Sequence, residues 1–137
     1  MPRLIDLAVG MHIPSREFTP TNVSLFLYNA AIWNPHRIHY DETYTTQVEH
    51  HPGIVIDGPL QGDWLTQVVL EWLGDDGELV EFEYSNRRAS YLGATLTAVG
   101  ILRAIDAANG TVSLEIAIND VTGQVLTPGR ALVKLRA

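Results

Sequence analysis

Two imidazoles, an amide, a guanidinium and a carboxylate fall within nine residues of this chain, in Trp33-Asn34-Pro35-His36-Arg37-Ile38-His39-Tyr40-Asp41. A core segment would not tolerate that density of polar groups, because each would need a partner or would cost free energy. Such a cluster belongs beside a cleft. Further along, Asp57-Gly58-Pro59-Leu60 opens a strongly periodic helix whose first turn offers free backbone N–H groups. A group able to move protons together with a helix-end anion site is suited to chemistry next to a carbonyl.

The bulk properties narrow the alternatives. The 137 residues suffice for one domain with a real core. The formal charge of −7 and the single lysine, Lys134, argue against nucleic acid, whose phosphates call for clustered positive charge. There is no cysteine, so thiol nucleophiles, thiolate metal sites and disulfides are excluded. The histidines show no metal-binding spacing, and no metal or cofactor is expected. The apolar run in the first ten residues is too short for a signal peptide, and nothing approaches a membrane span. The expectation is a cytoplasmic protein that meets neither membrane nor nucleic acid.

The elements that position the cluster can be read in turn. Residues 11–19 predict an edge strand interrupted by Pro14. Thr19-Pro20 predicts a helix start, with Val23, Phe26, Leu27, Ala30 and Ala31 at helical spacing and a stop near Asn34-Pro35. The polar cluster then occupies the turn leaving that helix, and Asp41 caps a short helix to about Val48. After Asp57, read as a helix N-cap, the residues Leu60, Trp64, Leu65, Val68, Val69, Trp72 and Leu73 form one buried stripe that ends at Gly74. Four extended segments follow, at about 79–89, 94–105, 111–118 and 124–136. The fold class expected is α+β, a single domain over residues 1–137 in which an antiparallel sheet covers one long helix.

This order, with Tyr28 through Asp41 and Gly53-Ile54-Val55-Ile56-Asp57-Gly58-Pro59-Leu60, resembles the MaoC-type (R)-specific enoyl-CoA hydratases and 3-hydroxyacyl-thioester dehydratases. The variant Asn-x-His-x-Ile-His-Tyr-Asp is similar to that of the mesaconyl-CoA hydratase and 3-hydroxyacyl-thioester dehydratase type 2 branch. Ser90-Tyr91-Leu92-Gly93-Ala94-Thr95-Leu96 adds a further match, and the resemblance spans about residues 11–105. It implies a single hot-dog fold, a sheet wrapped around one central helix, and water addition to a 2-enoyl thioester of CoA or an acyl carrier. It also implies a homodimer, or a heterodimer with a related subunit.

The family places an aspartate five residues before its catalytic histidine; here Asn34 stands five before His39. Aligning instead on Asn-Pro would put Arg37 in the histidine's place, which could not do the chemistry. The implied roles are therefore His39 as general acid/base and Asn34 as the group holding water, with Gly58 and Leu60 donating to the thioester oxygen. His36 and Asp57, the latter where many relatives carry histidine, complete the substrate-binding set. Two other readings stay open. One is a thioesterase using Asp57 or Asp63 to activate water; the other is a non-catalytic or weakly active partner subunit, since Asn34 replaces the expected aspartate.

Overall fold

The computed structural model describes residues 2–136; Met1 and Ala137, the ends of the expected 1–137 domain, lie outside the described residues. Its backbone is organised around α3, Gly58–Leu73. A five-stranded antiparallel sheet of order β1-β3-β4-β5-β2 covers that helix: β1 Arg16–Phe18, β2 Gly77–Tyr84, β3 Leu96–Asp106, β4 Thr111–Asn119 and β5 Val125–Leu135. This is the hot-dog arrangement expected above.

Its cause is the pairing of two periodicities. The stripe of α3 buries Trp64, Leu65, Val68, Val69 and Leu73. Alternate strand residues bury Val112, Leu114, Ile116 and Ile118 on β4, with Ala131, Val133 and Leu135 beside them on β5. The outward positions of the same strands carry charge, Glu115 pairing with Arg103 at 2.6 Å. Register cannot slip by one residue without exchanging those two faces. At the sheet edge, Phe18 of β1 stacks on Trp64 with ring centroids 4.5 Å apart.

Three local expectations need correction. The edge strand is shorter than 11–19: His12 makes one bridge to Ile101 and the Ile13 N–H donates to the Gly100 carbonyl, but only Arg16–Phe18 forms a ladder, its register displaced by one residue across Pro14. Strand β2 stops at Tyr84, and residues 85–89 leave the regular ladder. The first long helix, α1, runs Asn22–Ala31 and is capped by Thr21 instead of Thr19. Thr21 accepts from the Ser24 N–H while the Ser24 hydroxyl accepts from the Thr21 N–H, a reciprocal capping box. Replacing Thr21 by Ala should cost about 1 kcal/mol, measured as a lower urea midpoint with an unchanged slope.

The face that α1 buries also differs from its apolar spacing. Leu25 and Asn29 point inward, while Val23, Phe26 and Leu27 are exposed and Trp33, just past the helix, is 90 % exposed. The helix is apolar around much of its circumference, so spacing alone did not decide which side meets the core.

Candidate active site

The turn leaving α1 brings the polar cluster to the N-terminal end of α3. Trp33 sits at φ 60°, in the left-handed region, and reverses the chain. Asn34 Oδ1 accepts from the His36 N–H at 3.1 Å, and a short 3-10 turn, Arg37–His39, follows. Asp41 then caps α2, Glu42–Gln47, by accepting from the Tyr44 N–H, and pairs with Arg37 at 2.8 Å. The Val55 N–H donates to the Ile38 carbonyl, the Ile56 N–H donates to the Ser90 carbonyl and the Leu92 N–H to the Ile54 carbonyl. Residues 54–56 are thereby clamped between the histidine turn and residues 90–92, directly before α3.

His39 is 8 % exposed, and its Nδ1 lies 2.8 Å from the Val55 carbonyl. A carbonyl only accepts, so Nδ1 carries the proton and Nε2 keeps its lone pair in the neutral ring. Asp57 Oδ1 lies 3.5 Å from the same Nδ1. At that range the carboxylate acts on the ring through charge, and the hydrogen bond belongs to Val55.

Asp57 is fully buried and, although it occupies the N-cap position of α3, makes no side-chain capping bond. The expected cap is thus corrected: the carboxylate turns toward His39 and accepts from Asn29 Nδ2 at 2.9 Å. Nor is it open to substrate in this chain, being at zero exposure. Burial pushes its carboxyl above the ordinary range, while the Asn29 amide and His39 pull the other way. The remaining Asp57 oxygen, Oδ2, and Asn29 Oδ1 are buried without partners.

The other expected site residues take these places. Gly58 and Leu60 are half-buried in the first turn of α3, where their N–H groups have no intrahelical carbonyl to reach. Asn86 lies against the Cα of Gly58 so closely that any side chain at 58 would displace it. His36 is exposed, its ring centroid 5.9 Å from that of His39. Asn34 is half-buried and lines a hollow of about 240 Å³ with Asn29, Ala30, Trp33 and Pro35. Among the described residues, no three His, Asp or Glu side chains converge as a metal ion would require.

Asn29 is the residue that sequence reasoning missed. Its signal was a polar side chain four residues after Leu25, on what becomes the buried side of α1. A second buried set, Gln61, Ser90 and Thr127, was also missed: the Thr127 hydroxyl donates to Gln61 Oε1 at 2.6 Å, and Gln61 Nε2 donates to Ser90 Oγ at 3.4 Å.

Comparison with known proteins places this arrangement. The chain is 27 % identical over 101 residues to the mitochondrial hydroxyacyl-thioester dehydratase type 2 of Saccharomyces cerevisiae, covering 74 % of this chain and 34 % of that protein. It is 44 % identical over 59 residues to the mesaconyl-C(4)-CoA hydratase of Chloroflexus aurantiacus, covering 43 % of this chain and 21 % of the relative. The chain thus spans about a third or less of the curated relatives it matches. The structure superimposes on the (R)-hydratase from A. caviae with a TM-score of 0.85, over 94 % of this chain and 97 % of that one, at 18 % identity. At that identity the likeness is one of fold. The family model for hydroxyacyl-thioester dehydratase type 2 matches residues 10–92, which hold α1, the histidine turn, the clamped 54–56 segment and α3. With more than half its length matched, including the residues that surround His39, the chain belongs to the hydroxyacyl-thioester dehydratase type 2 family.

Proposed function

We propose that the chain interconverts a 2-enoyl thioester and its 3-hydroxyacyl thioester by adding or eliminating water. The observation that carries this reading is the His39 ring, fixed as the Nδ1–H form, beside the end of α3 where Gly58 and Leu60 present free N–H groups. In hydration, Nε2 takes a proton from water as its oxygen bonds to C3. The C2–C3 π electrons move toward the thioester oxygen, which the two N–H groups stabilise. The imidazolium then returns the proton to C2 and the carbonyl re-forms. Atoms balance with water as the only co-substrate, and the scheme uses no cofactor.

Asn34 is the proposed water-holding residue. Its Oδ1 is engaged by the His36 N–H, which leaves Nδ2 to meet the water oxygen. An Asn34→Asp variant should keep or raise the hydration rate, since a carboxylate accepts the same N–H and adds a basic oxygen. Steady-state kinetics check this, and insensitivity to every substitution at 34 removes the residue from the site. His36, exposed beside His39, is assigned to the substrate-facing wall.

The substrate is proposed to be a CoA or acyl-carrier thioester held between two hot-dog units. The exposed apolar residues Val23, Phe26, Leu27 and Trp33, beside the hollow at Asn34, support a second subunit there, a copy of this chain or a related one. The thioesterase alternative loses support, because Asp57 is sealed from water and Asp63 accepts from the Tyr28 hydroxyl at 3.2 Å.

The test is a panel of enoyl-CoA substrates, including crotonyl-CoA and branched or dicarboxylic examples, followed by loss of the enoyl absorbance. Release of free CoA would replace this reading with a thioesterase. Activity that appears only when a related subunit is added would assign the chain to the partner role.

A further inference from the structure

We infer that Asp57 is a positioning residue for catalysis: a carboxylate at the N-cap of α3, held by Asn29, that stabilises His39 when the ring takes up its second proton. The role presupposes the proton transfer proposed above for His39. It supplies, from the helix side, the negative charge that Asn34 cannot provide from the turn.

Three observations carry it. The Asp57 side chain abandons the cap bond open to an aspartate at a helix N-terminus and sits 3.5 Å from His39 Nδ1 instead. Asn29, itself buried, fixes it with one amide proton at 2.9 Å and gives the other to the Leu25 carbonyl at 2.8 Å. The arrangement also leaves two acceptors, Asp57 Oδ2 and Asn29 Oδ1, buried and unpartnered, which lowers stability. An amide at 57 would remove a buried charge and add a donor where two acceptors stand unpartnered. Packing therefore favours asparagine at this position, and the carboxylate that stands there answers to a different demand. With Asp57 at zero exposure, its charge acts on the ring with little screening.

The other ionisable groups nearby do not offer the same help. His36 faces the ring from its own turn at 5.9 Å between centroids, and Arg37 is bound to Asp41. Tyr28 on α1 donates to Asp63, with burial the first cause that holds its phenol protonated, and Tyr84 of β2 rests on Gly62.

The experiment compares Asp57→Asn with wild type by thermal melting and by the pH dependence of enoyl-CoA hydration. The expected variant melts no lower than wild type, loses ten- to a hundredfold in kcat with KM within about twofold, and has the acid limb of its pH–rate profile displaced downward by at least one unit, a tenfold change in proton affinity. Superimposable profiles would overturn the inference, as would a variant that fails to fold or melts several degrees lower, because the carboxylate would then serve packing. These outcomes are distinct from failure of the parent reading, in which wild type itself does not hydrate or His39 is dispensable.

Discussion

Replacing His39 with Asn should reduce kcat for enoyl-CoA hydration by about 10²- to 10⁴-fold while the protein stays folded. Asparagine is the informative substitution. Removing the ring outright, as in His39→Ala, would leave the Val55 carbonyl without its donor and Asp57 without its neighbour, both inside the protein. An unmade buried hydrogen bond costs about 1–3 kcal/mol, so a loss of activity in the alanine variant would mix chemistry with unfolding. The asparagine amide takes the place of Nδ1 and can donate to the Val55 carbonyl but has no basic nitrogen, so it keeps the bond and removes the proton transfer. KM should move little, because in the mechanism we propose the thioester oxygen is held by the first turn of α3 and not by the ring. Steady-state kinetics with a circular-dichroism melt on the same sample separate the two effects. Retention of more than a tenth of the wild-type kcat would end the case for His39.

The sequence made the scaffold legible because each long element repeats one signal many times. The stripe on α3 has seven apolar members, and the alternation on β4 has four. Nothing short-range competes with either, so both appear where expected. The ends of elements were less legible. Thr19-Pro20 satisfies the ordinary rules for a helix start, yet the reciprocal bonds between Thr21 and Ser24 offer the backbone a better one. On α1 the apolar residues surround the helix, so which of them face inward is fixed by tertiary packing.

The candidate site was half legible for a related reason. His39, Gly58 and Leu60 are carried by local motifs. The partnership of Asp57 with Asn29 joins residues 28 apart in sequence, one on α1 and the other at the N-cap of α3. An aspartate before Gly-Pro reads as a cap when only neighbours are considered. It becomes the neighbour of a histidine only once residues 54–56 are clamped against the turn at Ile38.

That clamp, and the tip of α3 with it, depend on the core beneath, which makes Leu65→Ala the most damaging core substitution we expect. Leu65 is fully buried on the inward face of α3, within the cluster formed by that helix and the inner faces of the strands. Truncation removes the transfer free energy of the lost methyl groups and leaves a cavity that a five-stranded sheet cannot readily collapse to fill. The expected cost is about 2–5 kcal/mol, against a total stability on the order of 5–15 kcal/mol for a folded domain. A fall in Tm on the order of 10 °C should follow. The control lies on the same helix: Leu70 is 49 % exposed, and Leu70→Ala should stay within about 0.5 kcal/mol of wild type. Because the two substitutions share residue type and helix, their difference measures burial and not helix propensity. Should Leu70→Ala destabilise as much as Leu65→Ala, the outward face of α3 must be covered by another subunit in solution, and repeating both melts across a range of protein concentrations would reveal it.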